Sequence, residues 1–438
     1  MFKFLQWPLW LCLAFGAQAQ QLLILNGGEF GGQQYANLGR FNTSSRSFQH
    51  LDTIFTQSVQ DLYIESQRYA YVAAQDSLVK YDLQTGQRLA ATAFGAPSTI
   101  KLGIYQNSLL VGNWYEPFGH SGPYSRHLLI FDKNTLALQD SIPDLSFGAK
   151  DFVILGDTAY ISQNRNDFST NFTDSLGFLA IVHLPSRQVI RRDTLSNTGA
   201  DLGRLYLLGD TLLIGFNSVS NTISHYHLVN GQRSTASAGV DLQLRNYAGG
   251  AFLYQGQWYL PYNGTIGSYD PIQRQAIQDS IVVHGQNIPF VAEFAWTMDT
   301  LNGRIFLSKI FFSNQSTNQG IAYNLQGDSL YSFPVGYSPE VLQIWYDQPL
   351  TAITALPSLS HLHAFPNPAP QLLNLRWEAN SAEQLLVFDA LGRLQVQQQL
   401  APEQTQAQLS TQSWASGWYR VVLVDAKGQV LCLSTIQR

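Results

Sequence analysis

From Gln21 to about Asp347 short apolar runs alternate with turn residues. The runs are rich in Val, Ile, Leu, Tyr and Phe, and Gly, Asn and Asp break them. No stretch keeps a helical period with caps, so the pattern predicts strands throughout. One unit recurs: apolar strand, turn, apolar strand, variable loop, third strand, turn, fourth strand. It reads QDLYIESQRYAYVAAQDSLVKYDLQTGQRLAATAF from Gln60. It returns from Lys101 (KLGIYQNSLLVGNW, then HLLIFDKNTLALQDSI) and from Asp151 (DFVILGDTAYISQN, then FLAIVHLPSRQVIRRDTL). Further copies start near Arg204, Gly250 and Glu293, so that starts lie roughly 40 to 53 residues apart. That is the length of one β-propeller blade.

Six copies leave two pieces over. One is the strand Glu340–Tyr346. The other is the block LLILNGGEFGGQQYANLGRFNTSSRSFQHLDTIF, which supplies about three strands. Together they make a seventh blade that closes the ring by joining the two ends of the region, and closure removes exposed strand edges. The fold class expected is therefore all-β, with a seven-bladed propeller over residues 20–347. A sandwich would leave pieces unassigned, and the four-strand unit with its variable loop disfavours a β-helix. The segment Asn26-Gly27-Gly28-Glu29-Phe30 resembles the opening of YncE-like or surface-layer-type seven-bladed propellers, a likeness that implies a binding role. Gly27, Gly28, Gly31 and Gly32 lack the GxGxxG spacing and the Lys-Ser/Thr of phosphate loops, so they predict a turn.

After Asp347 the stretch QPLTAITALPSLSHL carries two prolines and no long alternation, and reads as a linker over 348–362. Strand alternation resumes at Leu373, Leu375 and Trp377, with Gly392 and Gly428 in turns. Four motifs then follow in order: Phe365-Pro366-Asn367-Pro368-Ala369, Val387-Phe388-Asp389-Ala390-Leu391-Gly392-Arg393, Gly417-Trp418-Tyr419 and Lys427-Gly428. This order resembles the type A C-terminal sorting domain of type IX secretion, here over 363–438. The resemblance implies a small Ig-like sandwich, passage across the outer membrane on the type IX machinery, and release or surface anchoring after the domain is removed. Pro366, Asn367, Pro368, Asp389, Gly392, Arg393, Gly417 and Tyr419 carry the motif. Phe365 stands where the family often has Tyr.

The first residues fit the same route. Lys3 precedes an apolar run from Phe4 to Phe15, and Ala17-Gln18-Ala19 is a small-x-small cleavage site before Gln20. Residues 1–19 are thus expected to be a signal peptide, its apolar run too short to span a bilayer. Cys12 lies inside it and Cys432 is the only other cysteine, which excludes an internal disulfide and cysteine-based zinc sites in the processed chain. Charged residues make up 13% of the chain and the net charge is −5. With no basic run, nucleic acid and polybasic membrane docking are excluded. The expected destination is the medium or the outer-membrane surface, reached through the periplasm, and the chain is expected to be monomeric.

No catalytic signature is present: GxSxG, HExxH and an EF-hand loop are all missing. His225 and His227 share a strand face as a metal clip might, without a third ligand. Alignment of the blades puts Asp61, Lys101, Asp151, Arg204, Gly250, Glu293 and Glu340 in one column, at the start of each innermost strand. Glu293, Glu340 and Asp61 fall on consecutive blades as an acidic arc. Asn113, Trp114, Tyr115, Asn164, Arg165, Asn217, Tyr262 and Asn263 lie in loops predicted to open on the same face. Aromatic plates beside amides suit a sugar or peptide, and an acidic arc could hold calcium. The ligand-binding set expected is Asp61, Lys101, Trp114, Asp151, Arg204, Glu293 and Glu340, with no organic cofactor. The plain alternative is that these charges pair around a hydrated channel and bind nothing.

The function expected is a secreted or surface propeller that binds a glycan, peptide or protein partner. Two rivals are a polysaccharide lyase or hydrolase working from the acidic arc, and a ligand-free scaffold. Finally, Asp-Ser/Thr-apolar recurs ten times, starting at Asp52, Asp76, Asp140, Asp157, Asp174, Asp193, Asp210, Asp279, Asp299 and Asp328. Turn chemistry predicts the apolar residue as the start of the next strand. The tripeptide also resembles the O-glycosylation acceptor of bacteria that use type IX secretion.

Overall fold

The computed structural model describes residues 20–437 except 30, 94–98, 114–125, 165–176, 197–202, 210, 219, 245–248, 284–294, 310–317, 347–361, 366–370, 378–381, 390–393, 402–403, 413, 415–417 and 425–429. The chain divides into two compact units, 1–349 and 350–438.

In the first unit the described strands form seven four-stranded antiparallel sheets. Six are built from consecutive strands, as in Asp61–Glu65, Tyr69–Ala74, Ser77–Asp82 and Gln87–Ala93 of blade 1. Blades 2 to 6 follow in chain order, beginning at Thr99, Gly148, Arg204, Phe252 and Trp296. Blade 7 joins the two ends of the unit. Its innermost strand Pro339–Tyr346 pairs with Gln20–Asn26, which pairs with Ala36–Asn42 and then Phe48–Ile54. Leu23 stands opposite Gln343 and Leu25 opposite Val341. The expected ring closure is the one observed.

Each pair of neighbouring blades encloses its own apolar cluster, and this explains why the strands read as continuous apolar runs. Side chains alternate along a strand, so a blade buried on both faces needs apolar residues at every position. In Ser108–Asn113, Leu109 and Val111 pack with Tyr71 and Leu78 of blade 1, whereas Leu110 packs with Phe152 and Ile161 of blade 3. In blade 4 Leu213 packs toward blade 3, and Ile214 and Phe216 toward blade 5. The seam is filled in the same way. Leu23, Leu25 and Trp345 of blade 7 pack on Leu62 and Val72 of blade 1, and the Trp345 indole donates to the carbonyl of Gln67 at 2.8 Å.

The outermost strands need a different solution, because one edge of each is unpaired. Six of the seven carry at least one register shift that leaves an extra residue unpaired. The skipped positions include Leu89, Ile190, Ile277 and Leu330, all exposed. A repeated bulge bends and twists the edge, which discourages pairing with another chain.

The second unit holds a three-stranded sheet (Leu362–Phe365, Leu372–Trp377, Gln406–Ser410) and a four-stranded one (Leu394–Gln399, Gln384–Asp389, Trp418–Val424, Val430–Gln437). One core lies between them, with Leu373, Leu375 and Trp377 from the first sheet and Leu385, Val387, Tyr419, Val421 and Leu423 from the second.

Candidate functional site

The two faces of the propeller differ in their connections. Where an innermost strand ends it turns tightly into the next, through 66–68, 106–107, 156–157 and 255–256. Where it begins, at the other face, the connections include 27–35, 114–127, 165–176, 238–251, 284–295 and 310–318. Long insertions therefore collect on the face where the expected column lies.

Four charged column residues come together there. Asp61, Lys101, Asp151 and Arg204, from blades 1 to 4, line a cavity of about 260 Å³. Gly249, Gly250, Trp296, Thr297, Val341 and Gln343 complete its wall from blades 5 to 7. Lys101 Nζ lies 4.0 Å from Asp61 Oδ2 and 3.7 Å from Asp151 Oδ1. Arg204 follows Asp151, so charge alternates around four blades. Burial pushes the Arg204 pKa down, but Asp151, Tyr206 and Asp61 outweigh it and hold it above the ordinary value.

The aspartates also tie blade to blade. Asp61 Oδ2 accepts the backbone N–H of Leu102 at 2.8 Å, and Asp151 Oδ2 accepts that of Leu205 at 3.0 Å. Asp151 Oδ1 accepts the N–H of Phe152 at 2.9 Å. From blade 4 to blade 5 the same role falls to the Tyr206 hydroxyl, which accepts the Ala251 N–H at 2.6 Å. Burial pushes the Tyr206 pKa up to about 12. Gly250 has no side chain because a Cβ there would strike that hydroxyl.

Of the expected acidic arc, Asp61 lines the cavity, whereas Glu293 and Glu340 are not part of its described wall. Ser162 Oγ donates to Asp151 O and to Gly203 O in blade 3, and Ser308 Oγ donates to Ala295 O and Pro339 O in blade 6. This equivalence puts Ala295 in the column, two residues beyond Glu293. Glu293 itself lies outside the described residues, as do Trp114, Tyr115 and Arg165. Glu340 does hold the column position, but its carboxylate turns to Ser338, whose hydroxyl donates to Oε1 at 2.8 Å, and lies against Gly27. It is not among the residues that line the cavity.

Three of the expected loop residues are structural. Asn113, Asn217 and Tyr262 are all fully buried. Asn113 Nδ2 donates to Arg126 O at 2.7 Å, Asn217 Nδ2 to Thr222 Oγ1 at 2.9 Å, and the Tyr262 hydroxyl to Gln278 O at 2.9 Å. Each closes its own blade instead of facing a ligand. Asn263 is exposed in a turn at φ 49°, and for Asn164 only the backbone is described. His225 is also committed: its Nε2 lies 2.8 Å from Pro271 O, and Arg274 meets its Nδ1 at 3.3 Å.

Among the described copies, the Asp-Ser/Thr-apolar tripeptide falls mainly into two kinds, with Asp299, buried at the end of the innermost strand Trp296–Asp299, apart from both. Asp76, Asp157 and Asp328 precede strands, as turn chemistry predicts. Asp52, Asp140, Asp193 and Asp279 instead lie inside outermost strands. Asp52, Asp140 and Asp193 latch neighbouring blades together, Asp140 through Arg187, whereas Asp279 interacts with Tyr262 of its own blade. Asp52 accepts the Tyr81 hydroxyl at 2.8 Å and Arg88 Nε at 2.6 Å from the next blade. Asp193 repeats the pattern with Tyr226 at 2.9 Å and Arg233 at 2.8 Å. Asp174 and Asp210 lie outside the described residues.

Sequence reasoning missed Tyr206, Trp296 and Gln343. Tyr206 stands two residues after the column on the same strand face, so the column's own alternation could have revealed it. Trp296 needed the register of blade 6, which the Ser308 hydrogen bonds and the strand pairing fix.

Of the sorting motif, Pro366, Asn367, Pro368, Gly392, Arg393 and Gly417 lie outside the described residues, and Asp389 ends the strand Gln384–Asp389. Tyr419 is buried against Trp414, with ring centroids 4.7 Å apart.

Comparison with solved structures finds a protein of Bacteroides fragilis provisionally named a 6-phosphogluconolactonase. It is 11% identical, with 76% of this chain and 99% of that one covered at a TM-score of 0.50. The extracellular domain of a provisionally assigned hybrid two-component system from B. thetaiotaomicron is 10% identical, with 96% of this chain and 57% of that one covered at a TM-score of 0.46. At such identities the first likeness shows the fold alone. No curated protein matches the chain. Residues 363–432 match the family described as the secretion system C-terminal sorting domain. The chain is thus a β-propeller protein exported by type IX secretion, to the medium or to the outer-membrane surface.

Proposed function

We propose that the propeller is a binding protein that takes an extracellular ligand at its long-loop face, centred on the channel cavity. One observation carries this reading. On the neutral half of the cavity the indole N–H of Trp296 and the Oε1 of Gln343 are buried without a hydrogen-bond partner among the described residues. Buried polar groups are nearly always satisfied, so an unpaired donor and acceptor on two residues of the cavity wall favour a bound water or ligand there. On the other half the charges neutralise one another, which favours a polar ligand of low net charge: a sugar unit, or the tip of a peptide or protein. The volume, about 260 Å³, is near the lower end for ligand pockets.

The enzyme reading has less support. General acid–base catalysis needs a carboxylate free to exchange a proton with substrate. Asp61 and Asp151 are held by backbone N–H groups and share Lys101. Lys101 also stands where a cation bridging the two would sit, which counts against calcium at this point.

Calorimetric titration of the full-length protein against mono- and oligosaccharides and short peptides tests the proposal. Binding of at least one compound should weaken about tenfold or more in Lys101→Met and in Gln343→Leu. Equal affinity in wild type and both variants would remove the cavity as the site.

A further inference from the structure

A second feature of the long-loop face lies beside the channel, on loops that the cavity does not use. The exposed aromatic residues among the described part of the propeller are Tyr35, Phe48 and Phe55. Phe48 lies on an outermost strand. Tyr35 and Phe55, 44% and 77% exposed, touch each other with ring centroids 5.3 Å apart and planes at 70°. They come from different connections, 27–35 within blade 7 and 55–60 from blade 7 to blade 1. Both connections are on the face where innermost strands begin.

These loops are tied to each other. Gln57 receives the Gly31 N–H at 2.9 Å and donates to Gly32 O at 2.5 Å. Its own N–H reaches Gln75 Oε1 at 3.3 Å, and the Gln75 N–H reaches Gln60 Oε1 at 2.6 Å. The Ala36 N–H bonds Thr56 O at 2.8 Å directly behind the pair. Gly28, at φ 80°, lets the loop fold back on Gln34 and Tyr35, where a Cβ would collide. The aromatic pair is therefore held in place before any partner arrives, which lowers the ordering cost of binding.

The two connections themselves carry little charge. Across 27–35 and 55–60 the only charged residue is Glu29, which interacts with Tyr337. The remaining polar side chains are the amides of Gln33, Gln34, Gln57 and Gln60 and the hydroxyls of Thr56 and Ser58. Exposed rings beside amides are complementary to a ligand with apolar C–H faces and many hydroxyls. A polyanion would find no counter-charge within these connections. A hydrophobic protein partner would find a patch of two rings, far below the size of a stable interface.

We propose that Tyr35 and Phe55 form a stacking platform for a neutral polysaccharide chain. The platform is distinct from the channel cavity, so either site can fail alone. It turns the propeller from a receptor for a small ligand into one that also holds an extended glycan, and it requires no step of covalent chemistry.

The test is affinity electrophoresis of the full-length protein through native gels cast with hydroxyethyl cellulose, xyloglucan, galactomannan, soluble starch or, as the acidic control, polygalacturonate. Wild-type protein should be retarded by at least one neutral polymer and not by the control. Phe55→Ala should lose about nine-tenths of that retardation, and Phe55→Trp should keep it. Phe55 is mostly exposed, and an unshifted thermal midpoint would show that Phe55→Ala is folded. Retardation by none of the neutral polymers would overturn the proposal, and so would retardation equal in wild type and Phe55→Ala.

Discussion

Aspartate is the residue whose meaning depends most on where it sits. The same tripeptide is a turn signal at Asp328 and a blade latch at Asp193. Asp193 is buried and accepts bonds from Tyr226, Arg233 and Arg191, the last at 2.7 Å. Its loss would leave a buried hydroxyl unpaired, at about 1–3 kcal/mol. Asp193→Ala should therefore lower the urea midpoint clearly. Asp328→Ala, at an exposed turn, should change stability by no more than about 0.5 kcal/mol. Equal effects would refute the distinction. Sequence could not make it, because local turn propensity is identical at both places and only the blade-to-blade register separates them. His127 gives a second residue-scale prediction. Burial pushes its pKa down to about 4, against an ordinary value of 6.5. The unfolded chain then binds a proton that the fold refuses, so the stability it contributes is complete above pH 6.5 and falls as pH drops toward 4. Unfolding midpoints measured across that window should decline, and less so in His127→Gln. Parallel declines would exclude His127 as a source.

At the scale of elements, the strands were legible because their apolar residues leave no other reading, and the bulges were not. A strand buried on both faces announces itself as an unbroken apolar run. A bulge in an outermost strand depends on which residue of the neighbour it skips, and nothing in the run marks that. The column was legible on blades 1 to 4, where a charge precedes the apolar run. It failed on blade 6, where Glu293 lies near the expected start and Ala295 holds the position. The alternation within each strand predicts that blades are coupled to both neighbours at once. Leu110→Ala, in the cluster between blades 2 and 3, should cost about 2–5 kcal/mol. Hydrogen exchange should show the loss in strands of both blades. Faster exchange confined to blade 2 would contradict the shared core.

For the whole molecule, two kinds of information are written in one chain. The propeller carries the surface that can meet a ligand, and its charge-poor sequence spends its few ionic groups on joining blades. The C-terminal unit carries an address. Its motif was legible because four short segments follow one another in the family's order, while the ligand was not, because a propeller face is made of loops whose lengths follow no general rule. The central claim is that residues 363–438 send an otherwise complete propeller across the outer membrane. Fractionation of cells that make either the full-length chain or a chain ending at residue 362 tests it most directly. The full-length protein should appear in the medium or on the cell surface, and the shortened one should stay in the periplasm, folded and protease-resistant. Equal amounts of both outside the cell would contradict the account.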